Sequence, residues 1–174
     1  MRTFLLWAAV FLLPLFINST AMKPSNLTVS STSFVHNGNI PSKYTCDGIN
    51  ISPQISWSAG PQGTKSYALI CDDPDAPMKT WVHWLIFNIP ATVHSIPEND
   101  AGIEEALYGT TDFRRTGYGG PCPPSGTHHY HFKVYALDID LPLKSGAGKA
   151  DMEKAMQGHI LAQGDLIGLY IRQK

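Results

Sequence analysis

Asp72, Asp73 and Asp75 fall within the segment DDPDAP at 72–77, directly after the apolar run at 67–71. Carboxylates this close repel one another unless they point apart or meet donors or cations. Pro74 and Pro77 stiffen the backbone that carries them. The segment reads either as a charged turn at a strand end or as a source of hydrogen-bond acceptors and bases. His83 is a lone imidazole in the nearly continuous apolar stretch 81–89. Such a histidine is a satisfied core residue unless a partner sits opposite it, in which case it can carry a proton or a ligand. Gly117, Gly119, Gly120 and Gly126, with Pro121, Pro123 and Pro124, make a compact loop ahead of His128, His129, Tyr130 and His131. A loop of that composition can aim backbone N–H groups at an anion.

Alternation decides which of these groups face inward. Along 128–135, His128, Tyr130, Phe132 and Val134 share one face, and His129, His131, Lys133 and Tyr135 the other. The first set keeps apolar company, so His128 and Tyr130 are the inward candidates. Along 81–89, a single alternation puts Trp81, His83, Leu85, Phe87 and Ile89 together, opposite Val82, Trp84, Ile86 and Asn88. His129 and His131 project alike and could bind zinc or copper, but Lys133 on their face disfavours a cation, and the plain reading is a solvated surface. A hydrolase would need a nucleophile, a base and an oxyanion site. Ser125 lies near His128, but there is no Gly-x-Ser-x-Gly elbow, and Ser125 reads as a turn residue.

The elements that must position these groups are short strands between turn residues. Segments 27–34, 55–57, 67–71, 81–89, 131–137 and 166–171 carry the β-branched and aromatic residues, with Gly and Pro punctuation between them. One helix is expected over 149–163, where Met152, Ala155, Met156, His159 and Ile160 recur at helical spacing and Gly164 stands as a C-cap. The expected class is mainly β: a sandwich or barrel-like domain with a few short peripheral helices, one near the C-terminus. With 174 residues the chain makes one domain. At 43% hydrophobic and 16% charged residues it is a folding composition, not a disordered one. The formal charge of −1, with no basic run longer than Arg114-Arg115, excludes the electrostatic footprint of a nucleic-acid binder.

Arg2, the uncharged apolar stretch 4–17 and the small residues Ser19 and Ala21 describe a secretory signal peptide over 1–21, leaving a mature domain over 22–174. The stretch is short for a transmembrane anchor, so membrane contact is at most peripheral. Export to the periplasm or beyond would put the cysteines in an oxidising compartment. Cys71 lies inside an apolar run and reads as a small buried hydrophobe. Cys46 and Cys122, both in Gly/Pro/Asp-rich loops, are the one plausible pair; the alternative is two unpaired thiols.

Eight motifs occur together in one order: YTCDG at 44–48, NISP at 50–53, SW at 56–57, DDPDAP at 72–77, WVHW at 81–84, NIP at 88–90, GYGGPCPP at 117–124 and HHY at 128–130. In that order they resemble the bacterial branch of the phosphatidylethanolamine-binding proteins, also called Raf-kinase-inhibitor-like proteins. The resemblance spans about residues 34–172. It implies a β-sandwich with a small cavity at one end that holds phosphate-like or carboxylate anions. It places Asp73, Asp75, His83, Gly120, Pro123, Pro124, His128 and Tyr130 at that cavity, with no cofactor and no metal. A small anionic ligand such as phosphate or a phospholipid head group is the implied partner, with an envelope or extracellular protein as a further one. His129 stands where the family commonly has arginine, which removes a fixed positive charge. A buried carboxylate beside His83 would raise that histidine's pKa and orient its ring, leaving a donor for the ligand.

Overall fold

The computed structural model describes residues 24–172, so the segment read as a signal peptide lies outside the described residues. The strands are β1 (Ser25–Asn26), β2 (Val29–Ser30), β3 (Gly38–Asn39), β4 (Ile55–Trp57), β5 (Ser66–Asp73), β6 (Trp81–Pro90), β7 (Ser95–Ile96), β8 (Leu107–Tyr108), β9 (His128–Leu137) and β10 (Ile160–Tyr170). Helix α1 (Lys149–Met156) precedes the last strand. A large sheet runs β1-β10-β9-β5-β6-β8, with β3 also paired to β10, and a small sheet runs β2-β4-β7. The main core fills the space between them: Ile55, Trp57 and Ile96 of the small sheet meet Tyr67, Leu69, Trp84, Ile86, Phe132 and Val134 of the large one. The outer face of the large sheet buries Ala68, Ile70, Leu85 and Phe87 under Leu141 and the α1 residues Met152 and Met156. The domain is therefore a mainly β sandwich, with its helix on the outside.

β5 lies between β6 and β9, and all of its residues are buried. This is why its sequence is a continuous apolar run rather than an alternating one. β9 alternates as its sequence predicts: His128, Tyr130, Phe132 and Val134 are buried, and the residues between them are exposed or half-buried.

Three expectations need correction. The segment 27–34 is not one strand. β1 and β2 are separate, and the chain turns at Ser31, whose Oγ donates to the Gln54 carbonyl and accepts from Ser33 N. Serine side chains bonding nearby backbone compete with the ladder in this way. The helix ends at Met156 rather than at Gln163. Gly158, at φ 81°, reverses the chain, and Ile160 then pairs with Leu137. Gly164 lies inside β10 and caps nothing. Finally, β6 does not hold one alternation. Cys71 pairs with Trp84, but its neighbour Asp72 pairs with Val82, so the register skips His83; a second irregularity lies between Ile86 and Ile89. Each is a bulge of one extra residue. Leu85 and Phe87 consequently face α1, away from Trp84, Ile86 and Ile89.

The three carboxylates that open the site question resolve by pointing apart. Asp72 turns to the outer face and is fully buried, accepting from Lys133 Nζ (2.8 and 3.1 Å) and from Lys149 Nζ (2.6 Å). It thereby ties α1 to β5 and β9. Truncating a buried charge that holds two partners leaves those ammonium groups uncompensated. Asp72→Ala should lower unfolding free energy by about 2–4 kcal/mol in urea titrations. A loss under about 0.5 kcal/mol would contradict this role.

Candidate functional site

At the end of the sandwich where β5 finishes and β6 and β9 begin lies a cavity of about 240 Å³. Each liquid water occupies about 30 Å³, and pockets for drug-sized ligands run from about 300 Å³ upward, so this volume suits a head-group-sized molecule. Its walls are largely apolar, from Pro77, Trp81, Phe113, Pro123 and Pro124. Asp73, His83, His128 and Tyr130 supply the polar groups, and no lysine or arginine belongs to the lining. Wider grooves exist, one of about 510 Å³ beside Ile40 and Tyr170. None of the described grooves outside the cavity is lined by a sealed polar atom that lacks a partner.

His83 reaches the cavity because of the bulge. As the extra residue of β6 it has no opposite number on β5, and the 117–126 loop takes it up from both sides. Gly119 N donates to the His83 carbonyl at 2.9 Å, and His83 Nδ1 donates to the Gly119 carbonyl at 2.6 Å. A carbonyl oxygen only accepts, so Nδ1 carries the hydrogen and Nε2 is left for the cavity. Gly119 must be glycine because a Cβ there would strike the ring of Phe113. That ring packs edge-on against both His83 and Trp81, with centroids 5.4 and 5.6 Å apart.

The loop is anchored well beyond this contact. Gly120 N donates to Asn50 Oδ1 (2.8 Å), Cys46 N donates to the Pro121 carbonyl (3.0 Å), and Tyr118 Oη donates to the Tyr44 carbonyl (2.9 Å). Cys46 and Cys122 are joined by a disulfide with Cα atoms 5.4 Å apart, and Cys122 itself lines the cavity.

His128 is held differently. Its Nδ1 donates to Asp73 Oδ2 at 2.7 Å, while Asp73 Oδ1 accepts from Asp75 N at 2.9 Å. Both Asp73 oxygens are thus engaged, and His128 also turns its Nε2 away from the pair. Tyr130 lies between the two histidines, edge-on to His83 (5.1 Å) and stacked with His128 (6.5 Å). Its side chain is fully buried, and its hydroxyl makes no hydrogen bond of good geometry among the described residues, although the Asp73 carboxylate and the Cys122 backbone lie near it. An unmade hydrogen bond at a sealed polar atom is costly, and such atoms are rare in folded proteins. Burial, reinforced by the charge of Asp73, pushes the Tyr130 phenol well above its ordinary 10, so it remains a donor.

Of the residues singled out from sequence, Asp73, His83, Pro123, Pro124, His128 and Tyr130 come together around the cavity, and two do not. Asp75 faces outward, where its Oδ2 accepts from His129 N (2.8 Å) and His129 Nδ1 (2.7 Å). Gly120 packs against Tyr44 and Asn50 instead of opening on the cavity, and a Cβ there would collide with both. His129 and His131 diverge to different carboxylates, Asp75 and Asp165. Among the described residues no group of three or more His, Cys, Asp or Glu is arranged to hold a metal ion. Sequence reasoning missed Phe113, which sits in a turn at 111–116 with no periodicity to mark it.

The expected carboxylate beside His83 also needs correction. Its ring is oriented by the Gly119 carbonyl, and Asp73, the carboxylate whose charge acts on it most, is bonded to His128. Burial lowers the pKa of His83 from its ordinary 6.5, and the Gly119 contact and the charges of Asp73, Asp72 and Asp112 only partly oppose this. The sign follows from linkage. The unfolded chain takes up a proton at this residue below 6.5 that the folded chain refuses, so the neutral ring's contribution to stability is lost as pH falls through the folded value. A histidine-resolved NMR titration should place the His83 midpoint below 6.5, and a midpoint above 7 would contradict the arrangement.

The comparisons with known proteins come from three directions. The family model described as phosphatidylethanolamine-binding protein matches residues 30–171. A UPF0098 protein of Methanothermobacter thermautotrophicus is 52% identical over 150 residues, which are 84% of this chain and 99% of the relative. One from Pyrococcus horikoshii is 48% identical over 156 residues, 85% of this chain and 78% of the relative. Among solved structures, Escherichia coli YbcL, described as a new member of the mammalian phosphatidylethanolamine-binding family, superposes with a TM-score of 0.79 at 34% identity. That match covers 86% of this chain and all (100%) of YbcL. CT736 of Chlamydia trachomatis, described as a homologue of the same family, gives 0.80 at 37% identity, covering 86% of this chain and 99% of its own.

Proposed function

This chain belongs to the phosphatidylethanolamine-binding protein family, and we propose that it is an exported, non-catalytic binding protein whose cavity takes a small oxyanion, the phosphate or carboxylate part of a head group. The observation that carries this reading is the buried Tyr130 hydroxyl, a donor that makes no hydrogen bond of good geometry among the described residues, in a cavity sized for a head group. A tetrahedral or planar oxyanion seated between His83 and His128 would accept from it. The Asp73 carboxylate repels an anion by its charge, and its hydrogen bonds from His128 and Asp75 N partly offset that repulsion.

Two observations support binding rather than turnover. Ser125 is exposed on the loop and makes no hydrogen bond to His128 among the described residues. Neither histidine has a nucleophile within a hydrogen bond of its ring. Export rests on the pattern of residues 2–21, and the Cys46–Cys122 disulfide accords with an oxidising compartment.

Calorimetric titration of the mature protein with inorganic phosphate should give saturable binding, and Tyr130→Phe should weaken it about tenfold without unfolding the protein. Absence of binding at millimolar phosphate, or an unchanged affinity in Tyr130→Phe, would overturn the reading.

A further inference from the structure

The tautomer of His83 has a consequence for which anion the cavity accepts. We propose that the site selects an oxyanion that carries its own proton, inorganic phosphate, over fully deprotonated ones such as sulfate and the phosphodiesters of intact phospholipids. This inference rests on the oxyanion reading of the cavity.

The geometry is asymmetric. Tyr130 Oη offers a hydrogen, whereas His83 Nε2 offers a lone pair, because the ring's one hydrogen is spent on the Gly119 carbonyl. His83 is only 3% exposed, and its ring is fixed by the reciprocal Gly119 contact and by the flanking Phe113 and Tyr130 rings. It therefore cannot flip to present Nδ1–H to a ligand without breaking a buried bond. An oxyanion oxygen placed against a bare Nε2 meets lone pair with lone pair. A P–OH placed there donates, while a second oxygen of the same phosphate accepts from Tyr130. A site built to pair a ligand hydrogen rejects the analogue that lacks it more strongly than any apolar wall can.

An ammonium group would satisfy Nε2 as well, but it offers only hydrogens and so cannot accept from the Tyr130 hydroxyl.

The groups around His83 are Asp73 of β5, Asp112 of the turn at 111–116, and His128 and Tyr130 of β9, while the charge of Asp72 acts on it through the sheet from the outer face. No lysine or arginine of the lining supplies a competing donor. Acid alone turns Nε2 into a donor, and then the preference for a protonated ligand must fade.

The test compares inorganic phosphate, sulfate and dimethyl phosphate by calorimetry on the mature protein at about pH 7.5 and again as the pH is lowered through the His83 titration. Phosphate and sulfate match in size and, near neutrality, in charge, but only phosphate keeps a proton. Phosphate should bind about tenfold or more tightly than either competitor at about pH 7.5, and the gap over sulfate should narrow in acid. Equal affinities near neutrality, or a gap that acid leaves unchanged, would overturn the proposal while the oxyanion reading stands. Failure of all three anions to bind would overturn both.

Discussion

The pair of hydrogen bonds between His83 and Gly119 is the constraint on which the site depends. β6 carries one residue too many for its pairing with β5, and that residue is His83. An unpaired backbone carbonyl inside a sheet is costly. The loop repays it through Gly119 N and in return receives the imidazole hydrogen on its own carbonyl. One contact thus closes the bulge, fixes the ring's tautomer and sets the position of the loop that walls the cavity. The disulfide from Cys122 to Cys46 and the Gly120–Asn50 bond hold the same loop from its far side. A functional side chain on an otherwise regular central strand is made available by an irregularity, which is a recurrent use of bulges.

The surrounding charges show the same economy. Asp72, Asp73 and Asp75 each turn to a different cationic or donor partner: two lysines on the outer face, His128 in the cavity, and His129 at the surface. Alternation along β5 sends the first two to opposite faces, and the proline-stiffened turn sends the third outward. The cavity is left with histidines oriented by acceptors, a phenol without a well-formed hydrogen bond and apolar walls. Such a set recognises a small polar group by matching donors to acceptors rather than by bulk charge.

Much of this was legible in the chain itself. The inward placement of His128 and Tyr130 followed from alternation on β9, since Phe132 and Val134 declare the buried face. A sandwich or barrel-like β domain followed from short strands with turn punctuation, and the eight ordered motifs added the family and, through that resemblance, the sandwich. Local pattern failed wherever a long-range bond overruled it. Nothing near His83 announces a bulge, because its cause, Gly119, lies in a loop far along the chain. Residues 157–163 keep helical spacing of apolar residues, yet β9 offers them a strand partner that a helix could not use. Phe113 has no signal of its own; it belongs to the wall because Gly119 leaves room for its ring. Asp75 and Gly120 carry the right motifs, but one is drawn to His129 and the other packs against Tyr44.

The most direct test of the central claim is the nitrogen-15 NMR spectrum of His83 in histidine-labelled protein near neutral pH, with and without phosphate. The account predicts a neutral ring with its hydrogen on Nδ1 and a bare Nε2, and a change at Nε2 but not Nδ1 as phosphate saturates. A hydrogen on Nε2 in the free protein, or an Nε2 signal that phosphate leaves unmoved, would contradict it.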